Sequence, residues 1–135
     1  MIPAGEADRT WHVYLIEVDG VPHPKFFVCL AHYGQQWYGC LINSSLSLYD
    51  ARNADIMAAV MELEERDYSF LSHDSYFCAD EHFHVPDHVL AANEQLGVIA
   101  TRHRAGIYAA VCASKTMKLK AQKLMAAALR PRLPP

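Results

Sequence analysis

The first forty-five residues alternate between apolar runs and turn residues. Trp11 to Val18 is aromatic and β-branched and stops at Asp19-Gly20, a strand followed by a turn signal. After Val21-Pro22-His23-Pro24 a second apolar run covers Lys25 to Ala31, and Tyr33-Gly34-Gln35-Gln36 reads as a hairpin turn. A third run, Trp37 to Ile42, leads into Asn43-Ser44-Ser45. Three strands joined by short turns predict an antiparallel meander. Residues 1–10, small and polar, are expected to fray.

The pattern then changes period. Ile56, Val60 and Leu63 fall at i, i+4 and i+7 with Met57 and Met61 beside them, as in a short amphipathic helix. Ala58 to Leu63 reads equally well as a strand against the meander, and both readings stay open. Tyr68 to Val85 returns to strand-like composition, interrupted by Ser72-His73-Asp74-Ser75. Pro86 suits a helix start and Gly97 a helix end, which predicts a helix near 86–96. Arg102 to Ala113 carries Ile107, Ala110 and Val111 on one face. Ser114 or Thr116 can cap a further helix, in which Met117, Ala121, Leu124, Met125 and Ala128 recur at helical spacing. Its Lys115, Lys118 and Lys123 fall away from that stripe. The expected class is α+β: one domain over 1–135, with 11–85 mainly β and 86–130 mainly helical.

Composition narrows the class. With 135 residues, 52% apolar and 20% charged, the chain can bury one core and is not of disordered type. No apolar run approaches the roughly 18 residues that a spanning helix needs, so no membrane association is expected. The N-terminus has neither a basic nor a hydrophobic signal region, which predicts a cytoplasmic protein. Its four cysteines, Cys29, Cys40, Cys78 and Cys112, lie among apolar or small neighbours and are expected to be reduced and mostly buried. The net charge of −3 conceals a division. Residues 1–100 hold four strong bases against all fifteen acids, net −11; residues 101–135 hold eight bases and no acid, net +8. Such asymmetry points to nucleic acid, an acidic partner, or the chain's own acidic body.

The segment Asp67-Tyr-Ser-Phe-Leu-Ser-His-Asp-Ser-Tyr-Phe77, taken with Gly20-Val-Pro-His-Pro-Lys-Phe-Phe-Val28, resembles members of the broad MazF/PemK-like group of toxin-type proteins. Ser114-Lys-Thr-Met-Lys118 before a helix is similar to their usual ending. The resemblance spans roughly residues 11–125. It implies a small SH3-like antiparallel β-barrel with peripheral helices and a C-terminal helical segment, commonly a homodimer. It also implies a metal-independent endoribonuclease without cofactor, acting on RNA and neutralised by a cognate antitoxin. Two positions depart from the better-known toxins: His23-Pro24 stands where they have Arg-Pro, and Asn43-Ser44-Ser45 where they have Thr-Ser or Thr-Thr.

Cleaving RNA by attack of its 2′-hydroxyl needs a base, an acid and a donor that holds the phosphate charge. Histidine as a residue type suits the first two roles. The expected catalytic set is therefore His23, Lys25, Ser44, His73 and Asp74, with Lys25 or His23 as the cation, Ser44 or Ser45 donating to phosphate, and Asp74 orienting a histidine. Ser45, Arg102, Arg104, Lys115 and Lys118 are the expected RNA contacts. Each has a plainer role. Asp74 and Ser75 commonly fix a turn, and Lys25 can blunt a strand edge. The lysines of the last helix are commonly solvated. Trp11, Trp37, Tyr33 and Tyr38 can stack bases, though strands of this composition mostly bury them. Cys78, Asp80, Glu81, His82, His84 and His88 crowd into eleven residues with zinc-type ligand chemistry, but no second paired motif closes a shell, and no metal is expected. The competing functional class is a non-catalytic module that docks a protein through its basic C-terminal helices.

Overall fold

The computed structural model describes residues 7–135. The meander forms as the pattern predicts. Strands β1 (His12–Ile16), β2 (Lys25–Tyr33) and β3 (Gln36–Asn43) lie side by side, and β2–β3 turn through Gly34 and Gln35. Both turn residues have positive φ, +60° and +63°, the geometry whose twist matches a two-residue hairpin. The ambiguous stretch contains both elements. Asn53 separates two short helices, α1 (Leu48–Arg52) and α2 (Ala54–Met57), and caps the second by accepting from the amides of Asp55 and Ile56. Strand β4 (Val60–Leu63) follows.

Beyond the Ser72–Asp74 interruption, β5 (Ser75–Pro86) pairs with both β3 and β4. The helix expected over 86–96 is only α3 (Asp87–Ala91). Gly97 lies inside β6 (Gln95–Val98), an edge strand on β1, because the backbone groups of 95–98 complete a ladder there. Helices α4 (Thr101–Ala113) and α5 (Leu119–Leu129) close the chain. The result is an α+β fold around one six-stranded antiparallel sheet in the order β4-β5-β3-β2-β1-β6. Among the described residues, no helix is long and apolar enough to cross a membrane.

Alternation along the strands divides the core in two. Val13, Val28, Cys40 and Phe77 face α4 and α5, which bring Ile107, Val111, Ala121, Met125 and Leu129. Tyr14, Phe27, Trp37 and Leu41 face the other side, with Leu90 of α3. On that side the buried His32 Nε2 lies 2.9 Å from both carboxylate oxygens of Asp87, tying α3 to the sheet. Gly39 has no substitute: a Cβ there would lie 1.8 Å from the Val28 carbonyl oxygen.

The stripe predicted for α5 is the buried one, with Met117, Ala121 and Met125 inside and Leu124 and Ala128 packed at its margin. Ser114 caps the turn ahead of it by accepting from the Met117 amide. Cys29, Cys40 and Cys78 are buried free thiols and Cys112 is exposed. The expectation of a frayed N-terminus fails for residues 8–10. Asp8 accepts from the Thr10 amide and hydroxyl and pairs with Arg132, and Arg9 donates to the Tyr14 hydroxyl. Residues 1–6 lie outside the described residues.

Candidate functional site

The topology gathers most of the expected catalytic residues at one end of the sheet. β2 begins, β3 ends and β5 begins there, with Lys25 opposite Ile16 and Asn43 opposite Tyr76. Lys25 Nζ donates to Asn43 Oδ1 at 3.2 Å, which leaves two of its three N–H groups for another acceptor. Lys25 does not blunt an edge, because β2 is flanked by β1 and β3. His23 is exposed in the turn just ahead of it, and Ser44 and Ser45 are exposed just past β3. His73 is exposed ahead of β5, its Nδ1 3.1 Å from Ser72 Oγ.

Asp74 departs from its expected role. Its Oδ1 accepts from the Glu65 amide at 2.9 Å, so the carboxylate holds the turn Glu65–Asp67. Ser75 Oγ donates to the His73 carbonyl at 2.9 Å. These two residues fix a corner, which is the plainer of the readings open to them.

The expected RNA contacts separate. Arg102 pairs with Asp67, Lys115 Nζ lies 3.7 Å from Asp55, and Arg104 donates to the Ile99 carbonyl while its guanidinium lies over the Trp11 ring. Arg104 is thus a structural strut, bracing a tryptophan held at φ +72°. Of the lysines and arginines expected to contact RNA, Arg104 and Lys118 form no ion pair among the described residues, and with Arg104 held by Ile99 and Trp11, Lys118 is the one left unengaged. Lys25 shares a sheet face with Ile16 and Phe27, whereas α4 and α5 pack on the other face. The basic helices therefore pack on the face away from Lys25, although Arg102 at the start of α4 reaches Asp67, in the turn that Asp74 holds at the sheet end.

Lys118 belongs to a second cluster at the opposite end of the sheet. Between Leu41 and Gly39, β3 advances two residues while β5 advances from Cys78 to Phe83, so residues 79–82 bulge out of the ladder. Thr116 Oγ1 donates to the Asp80 carbonyl at 2.6 Å and pins that bulge to the α4–α5 turn. The result sets His82 beside Tyr38, ring centroids 5.9 Å apart and planes 15° from parallel, with His84 5.4 Å from the same tyrosine. Burial, then the neighbouring His84 and Lys118, holds the His82 imidazole below the usual histidine range. A groove of about 450 Å³ runs between Tyr33, Tyr38 and His82 on one side and Lys118, just ahead of α5, with Lys120, Lys123 and Leu124 of α5 on the other. Of the aromatic residues expected to stack bases, Trp11 and Trp37 are core, Tyr38 is half-buried, and Tyr33 is 58% exposed.

No family model matches the chain, and no curated protein matches it.

The crowded segment 78–88 is split by the same bulge. Cys78 stands opposite Leu41 on one face of the sheet, and His84 stands opposite Tyr38 on the other. Burial pushes the Cys78 thiol up to about 11, so it is a poor nucleophile. Among the described residues, no three His, Cys, Asp or Glu side chains come together as a metal-holding group. A cavity of about 880 Å³ is walled by the acids Glu17, Asp19, Asp80 and Glu81, which disfavour phosphate, and by His82, His84 and Lys118. The lysine-lined groove shares His82 and Lys118 with that cavity but has no acid in its lining. Sequence reasoning placed Lys118 and Lys123 away from the buried stripe, weighed His82 as a possible metal ligand, and did not single out Lys120. Neither the bulge nor the Thr116 contact that joins them has a local signature.

Proposed function

We propose that this chain is a toxin-like protein acting on single-stranded RNA from the end of the sheet where β2 and β5 begin. The observation that carries the reading is the convergence of His23, Lys25, Ser44 and His73 there, from segments as far apart in sequence as residues 23 and 73. In this reading one histidine takes the 2′-hydroxyl proton and the other protonates the leaving 5′-oxygen, with Lys25 and Ser44 donating to the phosphate. Asp74 is left out of the chemistry because its carboxylate is engaged by the Glu65 amide. The consecutive antiparallel neighbours β1, β2 and β3 support an SH3-like barrel as the closer description of the fold. A homodimer, a cognate antitoxin and a cytoplasmic setting belong to the same proposal, through the resemblance of residues 20–28 and 67–77.

The test is cleavage of a mixed-sequence RNA, with growth after expression as the second readout. Lys25→Ala, His23→Ala and His73→Ala are each expected to slow cleavage by about a hundredfold or more and to relieve growth arrest. Wild type that leaves both RNA and growth untouched overturns the reading.

A second reading is favoured by one observation: α4 and α5 lie on the sheet face away from Lys25. In it the chain is a non-catalytic module that docks an acidic protein partner through those helices. Intact RNA after prolonged incubation, together with a stoichiometric complex lost on charge reversal at Lys118 and Lys123, is the outcome that selects it.

A further inference from the structure

We propose that the groove between Tyr33, Tyr38, His82 and the first turns of α5 is a separate binding site for a single-stranded polynucleotide, which anchors RNA away from the sheet end. The inference rests on the preceding reading only for the choice of RNA over DNA.

Its parts are those that single-strand recognition uses. Bases of any sequence have a π-face, and aromatic side chains with an open face receive them. Lysines along the same groove neutralise phosphates. Tyr33 ends β2 at the tip of the hairpin with more than half its surface in solvent. The Tyr38 ring is half-buried beside His82 and His84, so Tyr33 is the ring that offers an open face to a base. His84 is held in turn by Gln36 across the strand pair. Lys118, Lys120 and Lys123 are all exposed and, among the described residues, form no ion pair. By contrast Arg102, Lys115 and Arg132 of the same basic segment are paired with carboxylates. Three uncompensated charges on one wall of a groove cost self-repulsion that a polyanion relieves.

An acidic peptide would satisfy the lysines but would leave flat rings without flat partners, so the nucleic acid fits better. The Tyr33 end of the groove is also distant from the sheet end. Lys25 and Tyr33 are opposite ends of β2, about 26 Å apart at ~3.3 Å per residue, and the groove opens on the helix-bearing face. Anchor and sheet end therefore hold different stretches of one strand.

The test is fluorescence anisotropy of a labelled 2′-O-methyl dodecauridylate, which lacks the attacking hydroxyl, against the full chain at 50 to 200 mM salt. An oligothymidylate of the same length forms a parallel arm. Wild type is expected to bind both. Replacing Lys118, Lys120 and Lys123 together by Gln should weaken binding at least tenfold and flatten the slope of log affinity against log salt by about 2. Tyr33→Ala should weaken binding about fivefold or more while leaving that slope unchanged. Arg66→Gln, at the other end of the sheet, should bind as wild type. Thermal melts show that each variant is folded. The inference is overturned if the lysine variant and Tyr33→Ala bind as wild type, or if poly-glutamate displaces the oligonucleotide at equal charge concentration. Absence of cleavage with groove binding intact overturns the proposed function alone. Cleavage with unaltered binding in the groove variants overturns the anchor alone.

Discussion

Residues with ambiguous chemistry are sorted here by what their atoms already touch. Asp74 and Lys25 both looked catalytic by type. Asp74 spends an oxygen on the Glu65 amide, whereas Lys25 keeps two donors beyond its bond to Asn43. Asp74→Ala is therefore expected to lower stability by about 1 kcal/mol, as loss of a capping acceptor does, and to leave RNA cleavage by the folded fraction unchanged. Asp74→Asn, which retains an accepting oxygen, should recover most of that stability. Urea unfolding beside the cleavage assay checks both, and a cleavage loss beyond the unfolded fraction would return Asp74 to the chemistry. The Asp74–Ser75 corner was legible in the sequence because turn chemistry is local. Arg104 was not legible, because its partners, the Ile99 carbonyl and the Trp11 ring, are set by how α4 meets the first strand.

At the scale of elements, periodicity located the meander and the stripe of α5, since alternation and helical spacing are properties of consecutive residues. It misread 86–98. Pro86 and Gly97 bracket a helix by local rule, yet the free edge of β1 offers residues 95–98 a ladder and they take it. At the joint between α4 and α5, one side chain of α5 reaches back to the end of α4. Gln122 Nε2 lies 2.8, 3.1 and 2.9 Å from the carbonyls of Val111, Cys112 and Ser114, its two N–H groups shared among the three, and closes the open C-terminal end of α4. Gln122→Ala should cost about 1–2 kcal/mol. Gln122→Glu should cost more, because a carboxylate facing three carbonyls accepts and cannot donate. Melting temperatures in the order Gln, Ala, Glu from highest to lowest are the expected result.

For the whole molecule, pH reports how three histidines are housed. Burial holds His12, His82 and His103 below the ordinary histidine value; Arg9 for His12, the neighbouring His84 and Lys118 for His82, and Arg102 for His103 add to it, while Asp8 opposes it at His12 and Asp67 and Glu64 at His103. The unfolded chain, with ordinary histidines, takes up these protons first as pH falls. Their contribution is fully present above about pH 6.5 and is lost below it, down to the lowered native values. Asp80, raised by burial, acts in the opposite sense but only in the carboxylate range. The urea midpoint is expected to be lower at pH 5.5 than at 7.5; an unchanged or higher midpoint would show these rings to be housed differently. Taken alone, the sequence determined the α+β class, the three-stranded meander, the buried stripe of α5 and the division into an acidic body and a basic end. Each of these follows from neighbours along the chain or from composition. Only the tertiary structure decided which charges remain free and where they stand. Arg102, Lys115 and Arg132 meet carboxylates far away in sequence, while Lys118, Lys120 and Lys123 meet the rings of a bulged strand. Those meetings depend on strand pairing and helix docking, which bring together residues that no local pattern connects.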